Sequence, residues 1–476
     1  MKNNMNAIGL DLGTTGCKAV LIDAEGNPLR STYRSYPLIK TEPGEATQNA
    51  EVIWKAVQEA LLDLKAVNAD GLSFSGAMHS LLLVDGQNKP LAPALTWADT
   101  RPLDTLADIP LEARATYLKT GAPLKTPYHP AKITYLQKKQ PALFAQAHQL
   151  VSIKDYIAFQ LTGVWKADIG LASSSGLLNL HTGHWDEDIV KALQVKSLLP
   201  EVLDATDLLG NITPDAATHT GLKAGMPVFA GSSDGGLANL GTGAGVQDTV
   251  ITVGTSGAVR SMVTSPQLDA RGRTWCYFLS RNQMFAGGAI NNAGLLIDWV
   301  RRMCFPADTF EVLFKEAAEV PDSEGLLLLP YLTGERSPHW KSDLTATLHG
   351  LALQHTRGHI ARAALEAVCF SLAEVHDLVS AGTTRVLVTG NITRSPLWMQ
   401  VLSNVLNRDL VVASSVDASA LGAAMVTRHA LDNRLGELTY KVQYALGFAP
   451  QPEEAALLRA TREHWRGLFT SIWKEL

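Results

Sequence analysis

IGLDLGTTGCKAVLID, residues 8–23, sets two short apolar runs on either side of a glycine- and threonine-rich break. IGLDLG and CKAVLID read as strands, TTG as the turn joining them, and EGN (25–27) as the turn that follows. Glycine lets a backbone approach an anion closely, and successive N–H groups in a tight turn form an anion-binding nest. Gly13, Thr14 and Thr15 therefore make a candidate phosphate turn, the two hydroxyls adding hydrogen bonds to phosphate oxygens. Asp11 stands at the strand end, where a carboxylate can hold Mg²⁺ directly or through water. A plain hairpin whose aspartate caps backbone amides would use the same residues, so this turn alone leaves both readings open.

The chain then starts again. VITVGTSGAVRSMV (250–263) repeats strand, glycine-hydroxyl turn and strand, and Gly254 lies 241 residues beyond Gly13 in a chain of 476. An ancient duplication into two α/β domains meeting at a cleft accounts for the repeat. Gly254, Thr255 and Ser256 then form a second phosphate turn, clamping a nucleotide from the other side. TRVLVTGNITRSPLW (384–398) adds a further strand-to-glycine turn ahead of a helix, and the glycine-rich Gly236–Gln247 stretch is the expected hinge. GTGAGV (241–246) misses the GxGxxG fingerprint, and no GxxxxGK[ST] loop occurs, so a P-loop enzyme is ruled against.

Length asks for more than one ordinary core. With 46% hydrophobic and 18% charged residues the composition is that of a folded globular protein. A formal charge of −5, without a long Lys/Arg cluster, gives no reason to expect nucleic acid. Cys17, Cys276, Cys304 and Cys369 form no CxxC pair and read as reduced thiols. The N-terminus lacks a signal-peptide pattern, and runs such as Leu326–Leu329 are far short of the roughly 20 residues a bilayer needs. A cytoplasmic protein with no membrane partner is expected. A helix is predicted from about Ala50 to Lys65, where apolar residues recur at helical spacing, and a buried strand near Gly71–Ser75.

Asp234 is the sharpest candidate for chemistry. It follows the strand MPVFAG in the turn SSDGG, and phosphoryl transfer to a hydroxyl needs a base to accept its proton. Capping the next helix is its bland role, and both can hold together. SFSGAMHS puts Met78 and His79 just past the buried strand, while TWADTR offers Trp97, Asp99 and Arg101. Singly these read as a core aromatic, a hydrogen-bonded histidine and a loop ion pair; grouped, they suit a sugar, with polar groups for hydroxyls and a flat wall for C–H faces. Glu335 and Arg336 in PYLTGERSPHW (330–340) read as an ion pair. No HExxH occurs, and GSSDG (231–235) fits the GxSxG pattern without a Ser-His-Asp order beside it, which sets aside the zinc hydrolase and serine hydrolase readings.

Together these segments resemble the FGGY family of carbohydrate kinases over nearly the whole chain. IGLDLGTTGCKAVLID resembles its first phosphate motif, PVFAGSSDGG (227–236) the segment bearing its catalytic aspartate, and ITVGTSGAV (251–259) its second phosphate motif. YLTGERSPHW (331–340) resembles its C-terminal signature. The resemblance implies two ribonuclease H-like domains of the actin/Hsp70 ATPase type flanking a catalytic cleft. Residues 1–244 would carry the sugar site and the base, and 245–476 the nucleotide. It implies ATP and Mg²⁺, with Asp11 and Asp234 at the metal and Asp234 as base. Within the family, AMHS, TWADTR and SSSGLLNL (173–180) are most similar to gluconate kinases, so Met78, His79, Trp97, Asp99 and Asp234 would meet D-gluconate, yielding 6-phosphogluconate. Xylulose kinases share the Met-His pair, which makes D-xylulose the alternative acceptor. One departure concerns the adenine side: the family has two or three consecutive glycines where this chain reads Gly390, Asn391, Ile392. A homodimer also fits the resemblance. A nucleotide switch akin to actin or Hsp70 would keep both turns, but it needs no wall such as Met78–His79 with Trp97–Arg101.

Overall fold

The opening hairpin forms as its sequence predicts. In a computed structural model describing residues 5–413, 417–433, 436–440, 442 and 444–473, β1 (Asn6–Leu12) and β2 (Gly16–Ile22) pair antiparallel. Gly13 N–H closes the turn on Gly16 O at 3.0 Å. β3 (Pro28–Ser35) extends the sheet beyond β2. The predicted helix is α1 (Ala50–Leu64), capped by the Asn49 side chain, which accepts from the amides of Glu51 and Val52. Its buried stripe of Ile53, Val57, Ala60, Leu61 and Leu64 follows the 3–4 spacing of one helical face, and Lys65 ends it in the left-handed region at φ 51°.

The predicted strand is β4 (Ala69–Gly76), parallel to β1. Further along come α2 (His129–Lys139), α3 (Ile153–Thr162) and α4 (Ile169–Ser174). β5 (Leu208–Asn211) and β6 (Pro227–Ser233) complete a sheet in the order β5-β6-β4-β1-β2-β3, with β6 parallel to β4 and β5 antiparallel at the edge. α5 (Asp234–Gly241) leaves directly from β6.

A second sheet is built to the same plan. β7 (Asp248–Val253) and β8 (Gly257–Val263) form the hairpin, and β9 (Arg385–Gly390) runs parallel to β7. α6 (Gly294–Cys304) follows Gln283–Ile290, the strand flanking β8. α7 (Pro396–Leu406) follows β9, β10 (Leu410–Ala413) is parallel to β9, and Tyr444–Phe448 is antiparallel at the edge. Hairpin, central strand, two parallel neighbours and an antiparallel edge thus recur, as duplication predicts.

The chain gathers into two compact units: Met1–Gly245 with Val263–Phe285 and Ser415–Val442, and Val246–Met262 with Ala286–Ser414 and Gln443–Leu476. The first break lies close to the sequence boundary of 244/245, and two later segments return to the first unit. One of them carries the helix Ala418–Leu431, which meets β1 and α5 backbone to backbone. A Cβ on Gly9 would stand 1.9 Å from Ala420 O, and one on Gly422 2.1 Å from Leu237 O, so only glycine admits this approach. The stretch expected as hinge, Gly236–Gln247, is helical up to Gly241, because its glycines serve this close approach: a Cβ on Gly241 would meet Ala418 O at 1.9 Å. The four cysteines are free, and all but Cys304 are buried.

Candidate active site

In the first unit, parallel pairing aligns the carboxyl ends of three neighbouring strands. Leu12 on β1 faces Gly76 on β4, and Gly76 faces Ser233 on β6. Whatever follows these residues emerges at one sheet edge, the usual place for a ligand in an open α/β sheet. Gly13–Thr15, Ala77–His79 and Asp234 are the residues that follow. Asp234 opens α5, and its Oδ1 accepts from Gly235 N–H at 2.7 Å, so the carboxylate also sits at the positive end of a helix.

Asp11 lies within that edge, accepting from Ser75 Oγ at 2.5 Å. Burial first, then the charge of Asp234, pushes its carboxyl up to about 7, with Asp417 adding and Ser75 and Lys18 opposing. Lys18, opposite Asp11 on β2, is ion-paired with Asp417. Nearby carboxylates held against their mutual repulsion favour a cation. Among the described residues no group of three or more His, Cys, Asp or Glu side chains gathers at one point. A metal held by one or two carboxylates and completed by water and phosphate oxygens, the habit of Mg²⁺, fits that donor set.

The turn carrying Thr14 and Thr15 is held from behind. Tyr36 O–H donates to Gly13 O at 2.8 Å, and Gln48 Nε2 donates to Thr14 O at 2.8 Å. Trp97 is 40% exposed, and its indole N–H donates to Thr14 Oγ1 at 3.1 Å, joining the expected sugar wall to the expected phosphate turn. His79 is partly buried beside Met78. Its Nδ1–H donates to Ser174 O at 2.9 Å. The ring stands edge-on to Tyr128 (4.9 Å between centroids) and Tyr277 (6.2 Å), whose hydroxyls meet at 2.7 Å.

Asp99 stands apart from this group. Its side chain is fully buried, and Arg101 grips both oxygens, Nε on Oδ1 at 3.0 Å and a terminal nitrogen on Oδ2 at 2.6 Å. Ala46 N–H adds a bond to Oδ2 at 3.2 Å. The carboxylate braces the Trp97 loop from inside, the ion pair that its spacing to Arg101 also allowed.

In the second unit the same sheet logic brings two further candidates together. Val253 on β7 faces Gly390 on β9, so Gly254–Ser256 and Gly390–Asn391 emerge side by side. The amides of Gly294 and Leu295, at the start of α6, donate to Gly254 O (3.0 Å) and Thr255 O (2.9 Å). Gly390 has φ 93°, and a Cβ there would stand 2.3 Å from Val253 O. The backbone therefore requires glycine at position 390. Glu335 accepts from the Arg336 backbone N–H at 2.8 Å, and both residues grip the loop leading into α6. Glu335 Oε1 accepts from Asn291 N–H at 2.5 Å, and Arg336 Nε donates to Asn291 Oδ1 at 2.7 Å.

Sequence reasoning missed Asp417, Ser75, Tyr128, Tyr277 and Lys132. Ser75 was legible in principle, since its pairing with Asp11 follows once β1 and β4 are parallel. The others reach the site through tertiary contacts with no local signature.

Two family models cover most of the chain: the N-terminal domain of the FGGY family of carbohydrate kinases matches residues 6–241, and its C-terminal domain residues 249–431. The chain belongs to the FGGY family of carbohydrate kinases. It has the two-domain α/β fold of those enzymes and is a sugar kinase, a phosphotransferase that uses ATP. It is 34% identical to a gluconokinase of Bacillus subtilis (strain 168) over 449 residues, 89% of this chain and 87% of that protein. Solved structures of a gluconate kinase and a ligand-bound xylulose kinase, both from Lactobacillus acidophilus, each superpose at TM-score 0.95 with 30% identity. The first match covers 99% of this chain and 98% of the other, the second 99% of both. A nucleotide switch without a sugar substrate is thereby set aside. No helix of the described residues is long and apolar enough to cross a membrane.

Proposed function

We propose that this kinase phosphorylates D-gluconate at its 6-hydroxyl. Asp234 accepts the hydroxyl proton, the oxygen forms a bond to the γ-phosphorus, and the bond from that phosphorus to the β–γ bridging oxygen breaks, releasing ADP. Asp11 and Asp234 hold Mg²⁺, which when bound neutralises phosphate charge. Gly13, Thr14 and Thr15 bind phosphate oxygens, as do Gly254, Thr255 and Ser256, and Gly390 and Asn391 meet the adenine side. Met78, His79 and Trp97 line the acceptor, and Asp99 shapes that wall through Arg101.

The observation that carries this reading is the emergence of Asp11, His79 and Asp234 from three adjacent parallel strands. Support for gluconate comes from the gluconokinase relative at 34% identity. D-xylulose is the second reading, favoured by a xylulose kinase structure that matches as well as the gluconate kinase structure. A coupled ATP assay across gluconate, xylulose, ribulose and glycerol decides between them. Gluconate is expected to give the highest kcat/KM, and turnover confined to ketopentoses would overturn the choice of acceptor.

A further inference from the structure

Lys132 lies on α2 with no exposed surface, one of the largest fully buried side chains of the chain. Its hydrogen bonds go to backbone carbonyls: the ammonium donates to His79 O and, at 3.4 Å, to Leu95 O. Burial drives its pKa down to about 7, and the charge of Asp99 pulls it back. His129, one turn earlier on the same helix, donates to Ser80 O at 3.1 Å and is kept neutral by burial and by Lys132. A methionine or leucine would fill the space without desolvating an ammonium, so stability alone does not explain a lysine here.

The two carbonyls explain it. His79 has φ 68°, a left-handed conformation that a non-glycine residue keeps only when its surroundings enforce it. Its ring is held by Ser174, Tyr128 and Tyr277, and its carbonyl by Lys132. Leu95 stands two residues before Trp97, at the start of the loop that Asp99 and Arg101 brace. One ammonium thus ties the segment carrying Met78 and His79 to the segment carrying Trp97.

We propose that Lys132 is a positioning residue for the phosphoryl acceptor, fixing the His79 and Trp97 segments relative to each other so that both side chains meet the sugar together. The proposal rests on the reading that these side chains line the acceptor site.

The test is Lys132→Met, which keeps the length and apolar stem but removes the donors. Kinetics are read with the sugar that the wild-type enzyme phosphorylates best, beside thermal melting. The acceptor KM is expected to rise by about 10-fold or more, since loosening a positioning contact is felt at this scale, while the KM for ATP rises much less, because the phosphate turn is reached only through the Trp97–Thr14 hydrogen bond and is held separately by Tyr36 and Gln48. A core filler would lower Tm and leave both KM values alone, and that result overturns the proposal. Equal rises in both KM values overturn it as well. If the methionine variant does not fold, Lys132→Gln, which is shorter and uncharged but keeps an N–H donor group, is read by the same split. His79→Ala and Trp97→Ala test the underlying site separately: an unchanged acceptor KM in both would sink the site reading whatever Lys132→Met does.

Discussion

Asp234, the base of the proposed reaction, starts a helix and lies close enough to Asp11 to raise the pKa of that carboxyl. Asp234→Asn is expected to lower turnover by about 10²–10⁴, the usual worth of a positioned base, with the melting temperature nearly unchanged. Wild-type turnover in that variant would end the base assignment. Asp11→Asn should separate stability from activity. It removes a buried carboxyl pushed up to about 7 while an amide oxygen can still accept from Ser75. Tm is expected to rise by roughly 2–4 °C per kcal/mol relieved, together with a large loss of turnover; a fall in Tm would show that the charge is not strained. Glu335 gives a pH test. Burial, against the bonds from Asn291 and Arg336, raises its carboxyl from 4.5 to about 7. A raised folded-state pKa means that its stabilising contribution is complete below 4.5 and lost as pH rises through 7. At about 1.4 kcal/mol per pH unit, wild type should lose roughly 2–3 kcal/mol relative to Glu335→Gln across that window. Denaturant melts of both proteins from pH 5 to 8 measure it, and a flat difference would refute it.

At the scale of elements, the informative feature is the helix Ala418–Leu431, which crosses β1 and α5 with carbonyls where side chains normally stand. Gly422→Val should be among the most damaging substitutions away from the site, costing about 3 kcal/mol or more, because the nearest atoms to the new side chain are all backbone of Leu237. Asn49→Ala removes only the cap of α1 and should cost about 1 kcal/mol. Urea midpoints at constant m-value rank the two, and a milder effect at Gly422 than at Asn49 would contradict the close approach. Much at this scale was legible beforehand. The hairpin, α1 and β4 were placed nearly to the residue, because local periodicity and turn chemistry define such elements. The glycine-rich stretch read as a hinge is helical up to Gly241, and the first break between the two units follows at Gly245, inside that stretch.

For the whole molecule, the two sheets share one plan, and each presents its candidate residues at the carboxyl ends of parallel strands. Nucleotide should therefore stabilise the protein without sugar. Saturation with MgATP at about 100 times its Kd is expected to add about 2.7 kcal/mol to the state that binds it. Differential scanning fluorimetry with and without ATP checks this, and sugar-dependent nucleotide binding would argue for an ordered site in which the acceptor comes first.

The opening turn, its repeat at Gly254 and the segment around Asp234 pointed to family and reaction from the sequence, because a phosphate nest and a strand-to-helix aspartate are encoded within a few consecutive residues. Tertiary structure decided what those residues touch. It withdrew Asp99 behind Arg101, brought Asp417 to Lys18 from far along the chain, and set Lys132 beneath His79. The last two contacts join residues 399 and 53 apart, so no local pattern announces them; the Asp99–Arg101 pair is local, and only its burial was hidden from the sequence.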